Sequence, residues 1–344
     1  MEYSGSIHYF VDANSSAGYV DRYESAFGGL KQVEQLCDFP DETAERLLFY
    51  VQNKAAEKNL RTEVIHNCLT NRPMGILLPE LSRGVINRQT WRPGALSALA
   101  SLDNAALNGV RSALSQAWSY FGKARLVHDE WEKIYIENLD FAAADALAEE
   151  TCARLFGGER GREGGGAVER FFGAATCRGP VDYIQNLTAG LERRFFIKGR
   201  PGTGKSTLLK KLAAAAREGG FFTEIYRCSL DPNSYDMVVV RGLGLCVFDS
   251  TAPHEYFPER EGDQVIDIYD AAVRPGTDEK YAAQLARLEG RYQSLVKQAR
   301  ECLLAAKEGM EDFQREALPR FSPGALAGLQ EGLAERLFAS GPAA

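Results

Sequence analysis

Long apolar runs, paired cysteines and basic clusters are missing from this chain of 344 residues. No stretch approaches the roughly 18 apolar residues of a membrane-spanning helix, and the N-terminus, MEYSGSIHYFVD, lacks the layout of a secretory signal. Seven cysteines are scattered and odd in number, without a C-x-x-C pair. That usage predicts a reduced, cytoplasmic setting in which most thiols are small buried hydrophobes. Basic runs stop at two residues, as at Lys210-Lys211, and the net charge is −7. A dedicated nucleic-acid or anionic-membrane surface is not expected from such a balance. Histidine is scarce: His8, His66, His128 and His254 lie far apart, and none pairs with cysteine at zinc spacing.

What remains is ordinary for a globular protein, with 45% hydrophobic and 25% charged residues. The length exceeds one ordinary core, so two domains are expected. Within it, GRPGTGKS (Gly199–Ser206) follows the apolar run Arg194–Lys198 and precedes TLLKKLAAAAREGG. The pattern G-x-x-x-x-G-K-[ST] is that of a phosphate-binding loop, and strand before with helix after is the context it requires. Gly199, Gly202 and Gly204 let main-chain N–H groups turn inward around a polyphosphate. Lys205 adds a point charge at the β and γ phosphates, and the Ser206 hydroxyl can ligate Mg²⁺. The helix begins there, so its positive end faces the same anion. Leu208, Leu209, Leu212, Ala213 and Ala216 share one face of it. Nucleotide phosphates are thus expected on Gly199, Arg200, Pro201, Gly202, Thr203, Gly204, Lys205, Ser206 and Thr207.

The sequence also repeats. Shifted by 161, residues 10–64 lie over 171–225 without a gap, and 14 of these 55 positions are identical. Among them are Phe10/Phe171, Gly18/Gly179, Pro40/Pro201, Leu47/Leu208 and Glu63/Glu224. Chance gives about three or four. The overlay sets Asp38–Glu45 beneath the glycine-rich loop: the proline persists, but the glycines, lysine and serine are gone and carboxylates replace them. Like charge and side chains would obstruct an anion there. The first half is expected to keep the scaffold, through Leu47, Leu48, Val51 and Ala55, without the nucleotide. Ile7–Val11 and Arg170–Ala174 read as matching first strands, each before a helix-turn segment.

Each half then turns helical. Val110, Leu114, Trp118, Phe121, Trp131, Tyr135 and Leu139 keep a three-four spacing, as do Tyr281, Leu285, Leu288, Tyr292, Leu295, Ala299, Leu303, Met310 and Phe313. Long helical hairpins are expected, available to a protein partner or packed internally. GGERGREGGG (Gly157–Gly166) reads as a flexible linker. A last short helix is expected over about 324–338, before a small-residue tail, GPAA.

A second acidic group should hold the hydrated Mg²⁺ at the end of a neighbouring strand. Leu245-Cys246-Val247-Phe248-Asp249 fits, with Asp249 as metal partner, and the first-half counterpart Asn87 is a neutral amide. No glutamate follows Asp249, so the usual place for a hydrolytic base is empty of one. Asp231 and Asp236 in DPNSYD, and His254 and Glu255 in TAPHEYF, are the nearby candidates for acid–base work; turn and capping roles suit the same residues. Arg200 and Arg241 are the arginines nearest in sequence for a γ phosphate. No N-K-x-D stretch is present, which favours ATP over GTP. Hydrolysis, transfer to a small-molecule hydroxyl, and binding without turnover all remain open.

FFIKGRPGTGKSTLLKKL, DPNSYDMVVV and LCVFDSTAPHEYFP together resemble a family of bacterial proteins with tandem P-loop halves, described only as ATP-binding proteins or ATPases. The resemblance implies an α/β fold of two P-loop NTPase-like α/β/α domains, each with a helical extension, spanning residues 1–156 and 168–344 with a linker at 157–167. It implies phosphates at Gly199–Thr207 and Mg²⁺ at Ser206 with Asp249 assisting. In that family the first half often keeps its own glycine-rich loop, from which Asp38–Glu45 departs. The resemblance implies no substrate beyond the nucleotide.

Overall fold

The computed structural model describes residues 5–36, 39–87 and 105–339. Asp38 of the carboxylate-rich segment and the GPAA tail lie outside the described residues.

In chain order the first segment gives strands β1 (Ile7–Phe10), β2 (Asp12–Ser15) and β3 (Gly18–Asp21), helix α1 (Tyr23–Phe27) and strand β4 (Gln32–Gln35). Helix α2 (Asp41–Glu57), strands β5 (Glu63–His66), β6 (Pro73–Leu78) and β7 (Arg83–Ile86), and helices α3 (Ala105–Ile136) and α4 (Phe141–Phe156) follow. The second segment gives strands β8 (Ala167–Arg170), β9 (Gly173–Thr176) and β10 (Gly179–Asp182), helix α5 (Ile184–Leu187), strand β11 (Arg193–Lys198) and helix α6 (Lys205–Glu218). It continues with strands β12 (Thr223–Arg227), β13 (Tyr235–Val240), β14 (Leu245–Asp249) and β15 (Asp263–Asp267), then helices α7 (Ile268–Ala272), α8 (Thr277–Ala317) and α9 (Pro323–Phe338).

The protein is a mixed α/β structure. One sheet runs β1-β5-β6-β7-β4, and the other runs β8-β12-β13-β14-β11-β15. Both alternate in the same way: a parallel pair, two antiparallel pairs, then a parallel pair. The second sheet adds β15, parallel to β11 and clamped by Arg194, which donates to Asp263 from Nε at 2.8 Å and Nη2 at 2.6 Å. The strands are short apolar runs that sheet packing buries on both faces, as Phe195, Phe196 and Ile197 are in β11.

Two expectations change here. The stretches after the first strands, read as helix-turn, open with hairpins instead: β2 pairs antiparallel with β3, and β9 with β10. Gly18 and Gly179 close these turns at φ 94° and 115°, a conformation that glycine supplies at little cost. The first strand of the second segment is accordingly Ala167–Arg170, three residues earlier than the 170–174 expected.

The long helices do not fold back within a segment. Helix α3 packs along α8, joining Leu107, Val110, Leu114 and Phe121 to Ala299, Leu303, Met310 and Phe313 in one buried cluster. Helix α4, which follows the first sheet, packs on α6 and α7 of the second; helix α9, at the end of the chain, packs on α2 of the first. Apolar stripes too wide for one partner explain both exchanges, since each terminal helix covers a sheet-flanking helix that its own segment leaves bare. The glycine-rich stretch is tied down at Gly161, whose N–H donates to Gly219 O at 2.9 Å.

The two sheets share a core that includes Tyr9, Ile65, Met74, Phe196, Met237 and Phe248. In a separate buried cluster Phe10 and Phe171, 161 residues apart, exchange main-chain hydrogen bonds of 2.9 Å in both directions. Beside them the buried Arg170 guanidinium lies 4.2 Å from the Tyr9 ring centroid and donates to Glu63 Oε2 at 2.7 Å.

Candidate functional site

Between β11 and α6 the chain turns tightly at the carboxyl edge of the sheet, where an open α/β fold binds ligands. Gly202 and Gly204 have φ of 80° and 93°. Gly199 is required for a different reason, since a Cβ there would lie 2.6 Å from Thr203 Oγ1. Thr203 is fully buried and its hydroxyl donates to Arg200 O at 2.9 Å, which cross-braces the loop. The first N–H groups of α6 have no intrahelical acceptor and point to the loop side. Burial of Leu208, Leu209, Leu212 and Ala216 against the sheet holds that helix end in place.

Lys205 reaches back across the loop: its Nζ donates to Arg200 O at 2.9 Å and stands 3.6 Å from Asp249 Oδ2. Ser206 Oγ accepts from the Tyr235 N–H at 2.9 Å. Asp249 ends β14, and its Oδ1 accepts from the Thr251 hydroxyl at 2.6 Å. One residue beyond the Met237–Phe248 pair, Asp236 and Asp249 are neighbours across β13 and β14. Burial and the charge of Asp249 push the Asp236 carboxyl up to about 7. A lysine, a serine hydroxyl, open N–H groups and two crowded carboxylates thus converge. That donor set fits a polyphosphate with a divalent cation: the anion meets N–H groups and Lys205, and the cation would offset the acidic pair.

The other expected residues are already engaged, and one of them lies away from the loop. Asp231 Oδ2 accepts from Arg125 Nη1 at 2.6 Å. Glu255 is half exposed and 3.4 Å from Lys198 Nζ. His254 Nδ1 lies 2.8 Å from Asp182 Oδ2, and Tyr256 donates to Asp182 Oδ1 at 2.8 Å. Burial works upward on the Asp182 carboxyl, but these two partners outweigh it and hold it below the usual range. Arg200 donates to Asp278 Oδ2 from Nη2 at 2.9 Å, and Tyr135 donates to Asp278 Oδ1 at the same distance. Arg241 is not at the loop: it lies beyond the far end of β13, donating to Glu224 Oε1 at 2.6 Å.

The residues that sequence reasoning missed come from α3. Its C-terminal turns lie against the loop so closely that a Cβ on Gly202 would sit 2.6 Å from Glu132 O. Arg125, His128, Asp129 and Glu132 gather there, with Arg125 Nε 2.7 Å from Asp129 Oδ1 and His128 Nδ1 3.2 Å from Glu132 Oε1. His128, Asp129 and Glu132 bring ligand atoms within 4.8 Å of one another, but Arg125 already supplies their positive charge. No local signal marks these residues in the sequence, because three-four spacing does not say which polar face meets a loop 70 residues downstream.

No protein-family profile matches the chain, and no solved structure does. The chain is 44% identical over 63 residues to the nucleoside-triphosphatase THEP1 of Metallosphaera sedula. That alignment covers 17% of this chain and 34% of the archaeal protein, so the chain spans about a third of the relative it matches. Among the described residues no helix is long and apolar enough to cross a membrane.

Proposed function

We propose that Gly199–Thr207 binds the triphosphate of ATP, that Ser206 and Asp249 hold its Mg²⁺, and that the second half hydrolyses the nucleotide. The observation that carries this reading is the loop itself: two glycines at positive φ between a buried strand and a helix start, with Lys205 folded over them toward Asp249. The name of the partial archaeal relative points to the same class of reaction. The matching strand orders of the two sheets support a duplicated P-loop scaffold, of which the first copy carries no nucleotide. In that copy the N–H of Asp41, at the start of α2, donates to Gln314 Oε1 at 3.0 Å, so an amide of α8 stands where a phosphate would be received. Transfer to a small-molecule hydroxyl, with Asp231 or Asp236 taking the proton, is the weaker reading, because Asp231 is held by Arg125 and Asp236 is paired with the Cys228 thiol.

Lys205→Ala removes a charge-assisted contact of about 1.5–3 kcal/mol and should weaken ATP binding about ten- to hundredfold in titration calorimetry. Unchanged affinity would overturn the site.

A further inference from the structure

Hydrolysis at the loop, the reading on which this inference rests, requires an acceptor for one proton of the attacking water. In the second half, each of the residues named above is engaged by a partner from its own surroundings. Asp231 is bound by Arg125, His254 by Asp182, and Glu255 by Lys198 at an exposed position. Asp236 is paired with the Cys228 thiol, and Asp249 faces Lys205 and Thr251.

Helix α3 of the first half supplies a carboxylate that packs on the loop itself. Glu132 packs on the crest of the loop, with its Cβ 3.0 Å from where a Cβ on Gly202 would lie. Its carboxylate is within electrostatic reach of Lys205, the residue that the motif assigns to the β and γ phosphates. His128, one helical turn earlier, stands 3.2 Å from Oε1, and Arg125 Nη2 stands 3.8 Å from Oε2. These neighbours fix the side chain without enclosing it, since 26% of it is open to solvent. A water could therefore stand between it and the loop. Glu132 is an anion at neutral pH, its carboxyl held below the usual range by His128.

We infer that Glu132, contributed by the first half, is the general base for hydrolysis at the second half's loop. The water oxygen forms a bond to the γ phosphorus while the bond from that phosphorus to the β–γ bridging oxygen breaks. Glu132 takes one water proton and later yields it to solvent, leaving ADP and inorganic phosphate. No redox partner is involved.

The test uses the full chain with Mg·ATP and two variants, Glu132→Gln and Glu132→Asp. The first keeps length and loses basicity; the second keeps charge and shortens the reach. For Glu132→Gln, phosphate release should fall about a hundredfold or more, as loss of a general base does. Affinity by calorimetry should be unchanged or tighter, because a negative charge near the triphosphate is removed. The nucleotide recovered with this variant after gel filtration should be intact triphosphate, where the unaltered protein carries diphosphate. Glu132→Asp should bind equally and turn over slowly, which a purely structural or charge-balancing role would not produce. Turnover of Glu132→Gln within about threefold of the unaltered chain would overturn the inference. So would ATP binding without turnover by the unaltered chain. Absence of ATP binding by the unaltered chain would instead overturn the nucleotide reading, and this inference with it.

Discussion

His66 shows how one buried side chain ties stability to pH. It is 5% exposed, its Nε2 lies 2.9 Å from His8 Nδ1, and the Tyr183 hydroxyl lies 3.0 Å from its Nδ1. Burial pushes its imidazole down to about 4. In the unfolded chain the same group takes a proton near 6.5, so acid favours unfolding. This contribution is complete above pH 6.5 and declines by about 3 kcal/mol as pH falls to 4. His66→Gln should flatten that part of a plot of urea midpoint against pH; an unchanged slope would assign the loss to other groups. At this scale the loop was legible in the sequence, because Gly199 to Ser206 act through spacing along the backbone. Arg125, His128 and Glu132 were not, because what brings them to the loop is where a helix from the other half comes to rest.

At the scale of elements, the exchanged helices make the clearest case. Leu333 and Leu337 of α9 are buried with Leu47, Leu48 and Val51 of α2. Leu333→Ala should lower stability by about 2–5 kcal/mol in denaturant titration. A loss under about 1 kcal/mol would mean that α9 is a loosely held appendage. Strands and long helices were readable from apolar periodicity, and α8 and α9 fall close to where the spacing put them. Helix α4 was not expected. In FAAADALAEETCARLF the buried face, Ala148, Thr151, Leu155 and Phe156, is half small or polar residues, which weakens its apolar signal. The polar strand Asp12–Ser15 was missed for a related reason: all four residues are buried, which alternation of polar and apolar side chains cannot announce.

For the whole molecule, interleaving decides how it can be divided. A cut in Gly157–Gly166 separates α4 from α6, α9 from α2 and α3 from α8. Segments 1–156 and 168–344, made separately, should lack cooperative thermal unfolding and should regain it on mixing, as followed by circular dichroism. Two independently folding pieces would contradict the exchange. The numerical repeat was visible in the sequence, whereas the pairing of α3 with α8 was not, since periodicity identifies an apolar face without naming its occupant. The contact at Tyr9 and Arg170 carries a last consequence. These residues occupy equivalent places in the repeat, and they meet as unlike partners, ring against guanidinium. Two copies of the second half joined in the same way would set Arg170 against Arg170, burying two cations without an aromatic face between them. Only the unlike pairing lays an aromatic ring over the buried guanidinium, and a self-pair of the half that holds the glycine-rich loop would forgo that contact.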